Sequence, residues 1–146
     1  LDGCLDVKGV RVLQRFLAPG AQRALVDDIR GIVSRAPLFR PVTPGGRPMS
    51  VRMTAAGDFG WVSDRVGYRY AARHPEGTAW PPIPESVLSA WAAVAGVEVA
   101  PACCLVNHYD AKARMGMPPD RDEARPDLPV VSISLGQAAP FRVGGA

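Results

Sequence analysis

With 146 residues, 47% of them hydrophobic and 21% charged, the chain has room for one domain around one packed core; its composition excludes a disordered tail, and a second domain within it is not expected. Its 15 glycines and 15 prolines are too many for a mostly helical bundle and point to short elements joined by turns, an α+β or mainly β domain. The formal charge of +3 and pI near 9.0 favour a polyanionic partner only weakly, because many proteins without one carry the same charge.

Val10 to Leu17 reads as a strand. Pro19 then opens a helix in which Leu25, Ile29, Ile32 and Val33 recur at three- and four-residue spacing, giving one apolar face to lay against a sheet. Thr43-Pro44-Gly45-Gly46 is a turn. Met49 through Tyr70, with aromatics set among Arg52, Arg65 and Arg69, reads as a surface excursion made of hairpins. Trp80-Pro81-Pro82-Ile83-Pro84 is a stiff connector into a second helix, apolar at Val87, Leu88, Trp91, Val94 and Ala95 and closed by Gly96. Trp80 and Trp91 are assigned to the core or to helix packing. Cys103 to Tyr109 reads as a short buried strand. Val130 to Leu135 alternates, with Val131, Ile133 and Leu135 on one face and Ser132 and Ser134 on the other, and Phe141 to Val143 starts one more strand. Two helices followed by short strands imply helices packed on one face of a largely antiparallel sheet, a class that includes the jelly roll without singling it out.

Cys4, Cys103 and Cys104 form an odd set with neither zinc-site nor redox-dithiol spacing, so a reducing compartment is the simplest expectation. No apolar run is long enough to cross a bilayer, and Leu1 to Lys8 lacks the charged-then-apolar pattern of a secretory signal. A soluble, cytoplasmic protein without a membrane partner is expected.

Four segments carry a specific resemblance: Thr43-Pro44-Gly45-Gly46 with Met49-Ser50-Val51; Gly60-Trp61 with Gly67-Tyr68-Arg69-Tyr70; Asn107-His108-Tyr109; and Asp120-Arg121-Asp122-Glu123 followed by Pro129-Val130-Val131-Ser132-Ile133-Ser134-Leu135-Gly136. In this order and spacing the chain, from about Val10 onward, resembles the AlkB family of iron- and 2-oxoglutarate-dependent nucleic-acid dioxygenases. The resemblance implies an α+β fold. Its core would be a double-stranded β-helix (jelly roll) with two N-terminal helices packed on the sheet. It also implies a single partial domain over 1–146, incomplete at the C-terminus, with a nucleotide-recognition lid over 40–80. The implied function is oxidative demethylation of N-alkylated bases, of the 1-methyladenine and 3-methylcytosine type, in DNA or RNA. Fe(II) would be the cofactor, 2-oxoglutarate the cosubstrate, and alkylated single-stranded DNA or RNA the partner of a monomeric enzyme.

The same resemblance assigns roles to residues. Asp120 matches the carboxylate of an iron-holding triad of two histidines and one carboxylate. Asn107 and Tyr109 match the pair that contacts 2-oxoglutarate through an amide and a phenol hydroxyl, and, two apart on a strand, they would face the same side. Trp61, Tyr68, Arg69 and Tyr70 resemble the base-stacking and phosphate-contacting part of the lid, and Asp122 matches the acid near the base's exocyclic nitrogen. Thr43, Met49 and Ser50 are expected to shape the lid and pocket wall. Ser132 and Ser134 have no histidine and acid placed to activate them as nucleophiles.

One departure stands out: Pro118 occupies the place of the first histidine ligand, and proline has no donor to replace an imidazole. The other expected metal histidine and the arginine that clamps the cosubstrate would lie beyond Ala146. His74 and His108 read as surface or partly buried structural histidines. The competing reading is therefore a catalytically inactive fragment or pseudoenzyme that keeps a nucleic-acid-binding lid.

Overall fold

The computed structural model describes residues 3–115 and 128–144. Among them the elements run β1 (Cys4–Val7), β2 (Val10–Leu13), α1 (Pro19–Arg35), β3 (Arg52–Gly57), β4 (Gly60–Asp64), β5 (Gly67–Ala71), α2 (Glu85–Val94) and β6 (Cys103–His108). The strands pair as three antiparallel ladders, β1 with β2, β3 with β6 and β4 with β5. Two helices combined with antiparallel strands make this an α+β chain.

The first ladder is a tight hairpin. Lys8 (φ 53°) and Gly9 (φ 84°) both take left-handed backbone, the two-residue turn whose twist suits flanking strands, and the Gly9 N–H donates to the Asp6 carboxylate at 3.0 Å. The register sets Leu5 opposite Val12 and Val7 opposite Val10, so these four side chains share one face, where they stay 38 to 47% exposed. From the other face, Arg11 donates to the Val94 carbonyl of α2 at 3.3 Å. The sequence reading began this strand at Val10 and ran it to Leu17; β2 stops at Leu13, and β1 was not anticipated.

The anticipated face of α1 is the one that packs. Leu25 and Ile32 are buried, as is Ala36 just past the helix, and the element touches both β3 and α2. Asp28 on α1 accepts the Ser86 hydroxyl of α2 at 2.6 Å. At the helix end, the buried Thr54 hydroxyl donates to the Ala36 carbonyl at 2.7 Å, satisfying one of the acceptors that a helix leaves free at its C-terminus. The core then continues through Ala36, Ala55, Val62 and Trp80, with Phe39 and Ala71 packed against them.

Strand β3 corrects the expectation of a surface excursion from Met49 through Tyr70. Val51 and Met53 through Ala56 are buried, because β3 pairs with β6 and lies under α1 and β4. Only β4 and β5 form the expected hairpin. Strand β6 falls where a strand was expected but is only partly covered: Leu105 is 42% exposed, and Asn107 and His108 are exposed.

Two expected strands do not form ladders among the described residues. From Val130 to Leu135 burial alternates as the sequence pattern does, with Val131, Ile133 and Leu135 half-buried and the serines exposed. No described strand pairs with that segment or with Phe141 to Val143. Alternation records which side is sheltered, whereas a strand requires a hydrogen-bonded neighbour. The shelter for Leu135 is a cleft against α1, lined also by Gln22, Arg23, Val26 and Arg30. Among the described residues no helix is long and apolar enough to cross a membrane.

Candidate functional site

The β4–β5 hairpin owes its geometry to the short loop Arg65-Val66 and to Asp64, whose carboxylate accepts the Val66 N–H at 2.9 Å. Its register puts Trp61 opposite Tyr70 and Ser63 opposite Tyr68, so Trp61, Tyr68 and Tyr70 share one face. On that face the rings of Trp61 and Tyr68 stack with centroids 5.4 Å apart and planes 19° from parallel. Trp61 is half-buried and Tyr68 is 51% exposed, leaving π surface open to solvent. The hairpin is anchored on its core face by Val62, and on the aromatic face by the buried Ser63 hydroxyl, which donates to the Val42 carbonyl at 2.7 Å.

Arg69 lies on the opposite face, paired in register with Val62. Its guanidinium makes two charge-assisted bonds to Asp64, at 2.9 and 2.8 Å. This fork, with help from the Val66 N–H, holds the Asp64 carboxyl down from 3.8 to about 2, and the same partner raises the guanidinium of Arg69. The four lid residues named from the sequence thus divide into an aromatic face and a cation already neutralised by an acid.

Trp80 ties the far end of the hairpin to the core. Its indole N–H donates to the Ala71 carbonyl at 2.8 Å, and its ring sits edge-on to His74 with centroids 5.3 Å apart. His74, expected at the surface or partly buried, is 3% exposed. Its Nδ1 accepts the Glu76 N–H at 3.0 Å, so Nε2 carries the proton and donates to the Pro37 carbonyl at 2.8 Å. Phe39 completes the aromatic cluster. Both ring nitrogens are occupied, which makes His74 a structural residue.

Asn107 and Tyr109 stand at the end of β6. Asn107 is exposed and opposes the buried Met53, so it shares a ladder face with Met53 and Ala55. Tyr109 lies one residue past the strand, 50% exposed, with its hydroxyl 3.9 Å from the Met115 sulfur. Between them His108 opposes Arg52, whose guanidinium donates to His108 Nδ1 at 3.1 Å. Strand β4 touches both β3 and β6, so the strand carrying Trp61 adjoins the one carrying Asn107.

Asp120, Asp122 and Pro118 lie outside the described residues. Among the described residues no three His, Cys, Asp or Glu side chains come together as a metal site. With His74 enclosed and His108 bonded to Arg52, the described part of the chain does not by itself fit an iron centre. None of the three cysteines is in a disulfide, and burial pushes the Cys104 thiol up, away from the reactive thiolate. Sequence reasoning missed the Asp64–Arg69 fork and the His74 cluster. The Asx pattern of Asp64 before Arg65-Val66-Gly67 was the available signal for the first; the second had none.

Residues 9–146 match the model of the 2OG-Fe(II) oxygenase superfamily. The chain is 49% identical over 140 residues to an alpha-ketoglutarate-dependent dioxygenase AlkB homolog of Caulobacter vibrioides, an alignment covering 95% of this chain and 64% of the relative. It is 44% identical over 144 residues to the alpha-ketoglutarate-dependent dioxygenase AlkB of Salmonella typhimurium and 40% identical over 144 residues to that of Escherichia coli, each covering 94% of this chain and 65% of the relative. It therefore spans just under two thirds of the curated relatives it matches.

Proposed function

We propose, from the premise that the chain belongs to the 2OG-Fe(II) oxygenase superfamily and within it to the AlkB homologues, that it serves the oxidative demethylation of N-alkylated bases in DNA or RNA. The observation that carries this reading is the hairpin face of Trp61, Tyr68 and Tyr70, backed by Val62 in the core, with Tyr68 exposed and the stacked Trp61 half-buried. A base methylated on a ring nitrogen carries positive charge, and an electron-rich indole–phenol pair attracts such a ring by about 0.5–2 kcal/mol beyond ordinary stacking. Unpaired strands present their bases at least expense, so alkylated single-stranded DNA or RNA is the expected partner.

In this reading Asn107 and Tyr109 bind 2-oxoglutarate, their amide and phenol offering hydrogen bonds to its carboxylate oxygens. Asp120 would be the carboxylate toward Fe(II), which with 2-oxoglutarate would supply the oxidising chemistry. Asp122 would accept a hydrogen bond from the base's amino group. Arg69 acts on the nucleic-acid backbone only by exchanging the Asp64 carboxylate for a phosphate. The three ladders belong to a double-stranded β-helix, the β4–β5 hairpin is the exposed part of the recognition lid expected over 40–80, and the protein works as a cytoplasmic monomer.

The test compares binding of a single-stranded oligonucleotide carrying 3-methylcytosine, against its unmodified counterpart, by fluorescence anisotropy. Trp61→Ala should weaken the methylated strand by about 2- to 30-fold, the range that 0.5–2 kcal/mol implies. Equal affinity of wild type and variant would remove Trp61 from the recognition surface. Formaldehyde release with Fe(II) and 2-oxoglutarate tests turnover separately. Binding without release would favour the non-catalytic reading to which Pro118 points.

A further inference from the structure

After β6, from Asp110 to Met115, the chain makes a compact turn. The Asp110 carboxylate accepts the Lys112 N–H at 3.0 Å, and the Ala113 N–H donates to the Asp110 carbonyl at 3.2 Å. At its end Met115 brings its sulfur to the Tyr109 hydroxyl. Local bonds of this kind shape a turn without fixing where it sits relative to the sheet.

That placement comes from a residue 64 positions earlier in the sequence. The Ser50 hydroxyl donates to the Arg114 carbonyl at 2.9 Å, and the Arg114 N–H donates back to Ser50 Oγ at 2.9 Å. One hydroxyl therefore satisfies both backbone groups of a single residue, as a strand neighbour would. Ser50 is itself held in place, since the next residue, Val51, is completely buried and leads directly into β3.

We infer that Ser50 is a positioning residue, a two-bond latch that fixes Tyr109 through Met115 against the start of β3. The inference deepens the proposed function and rests on it for the meaning of Tyr109. The latch has its own physical signature, because both backbone groups of Arg114 meet one side-chain oxygen.

The experiment compares wild type, Ser50→Ala and Ser50→Thr by site-resolved amide hydrogen exchange and by calorimetric titration with 2-oxoglutarate in the presence of Mn(II). In Ser50→Ala the Arg114 amide should exchange roughly tenfold faster or more, as expected for loss of a local bond, while the Thr54 and Ala56 amides of β3 stay unchanged. Ser50→Thr, which keeps both the donor and the acceptor, should retain wild-type protection. 2-Oxoglutarate should bind severalfold more weakly to Ser50→Ala and normally to Ser50→Thr. Unchanged exchange at Arg114 in Ser50→Ala overturns the latch, and altered exchange with unaltered 2-oxoglutarate affinity overturns the positioning role. If wild type binds no 2-oxoglutarate, the cosubstrate reading and the positioning role both fall, while the exchange data still decide the latch.

Discussion

Gly60 is the residue on which the packing of the hairpin against the core depends most sharply. A Cβ added there would penetrate the six-membered ring of Trp80, reaching Cη2 at 2.8 Å and other ring atoms closer still. Trp80 cannot yield freely, because it is 6% exposed, bonded to the Ala71 carbonyl and flanked by His74 and Phe39. Overpacking of this kind costs about 1–3 kcal/mol, and displacing the indole N–H from its acceptor adds about 1 kcal/mol. Gly60→Ala should thus destabilise the fold by about 2–4 kcal/mol. With an m-value of about 2 kcal/mol/M, the urea midpoint followed by far-UV circular dichroism should fall by about 1–2 M. A double-mutant cycle isolates the cause, since phenylalanine at position 80 lacks Cζ2 and Cη2, two of the three ring atoms that clash. In the Trp80→Phe background, Gly60→Ala should lose most of its effect. The same penalty in both backgrounds would refute a steric origin at Trp80.

Other expectations follow from single contacts. Thr54→Val keeps shape but removes the donor to the Ala36 carbonyl, leaving a buried acceptor unpaired, so a loss of about 1–3 kcal/mol is expected in thermal unfolding. Thr54→Ser should retain most of that stability; stability kept in Thr54→Val but lost in Thr54→Ser would credit the methyl group instead. Because Asp64 titrates lower in the folded chain, at about 2 rather than 3.8, its contribution to the hairpin is complete above about pH 4 and declines as pH falls toward 2. Carboxyl titration by NMR should return Asp64 toward 3.8 in Arg69→Ala, and an unmoved Asp64 in that variant would discredit the fork as the cause.

Helices α1 and α2 were legible because Pro19, the Trp80–Pro84 connector and Gly96 punctuate runs with a clear 3.6-residue period. The β1–β2 hairpin was half legible, since Lys8-Gly9 stands between the alternating pairs Leu5, Val7 and Val10, Val12, and only its second strand, from Val10, carries a clear strand pattern on its own. Strand β3 was obscured by its neighbours. The arginines and aromatics around it gave the whole stretch a surface composition, while Met53 to Ala56 are small or flexible residues that fit beneath a helix. Val130 to Leu135 shows the opposite error, a periodicity real enough to appear in burial but without a described ladder. Among the site residues, the shared face of Trp61, Tyr68 and Tyr70 follows from hairpin register. The diversion of Arg69 to Asp64 and the reach of Ser50 to Arg114 depend on side-chain geometry that residue types do not encode.

The ring pair at Trp61 and Tyr68 imposes a rule of occupancy. Each aromatic has already given one side to its neighbour, so a visiting heterocycle has only the outer sides to lie upon unless it wedges the pair apart, forfeiting about 0.5–1.5 kcal/mol of mutual attraction. A guest that caps the pair would leave the coupled near-ultraviolet ellipticity of indole and phenol largely intact, and one that intercalates would abolish it. The protein thus contains its own optical gauge of how an aromatic guest is seated.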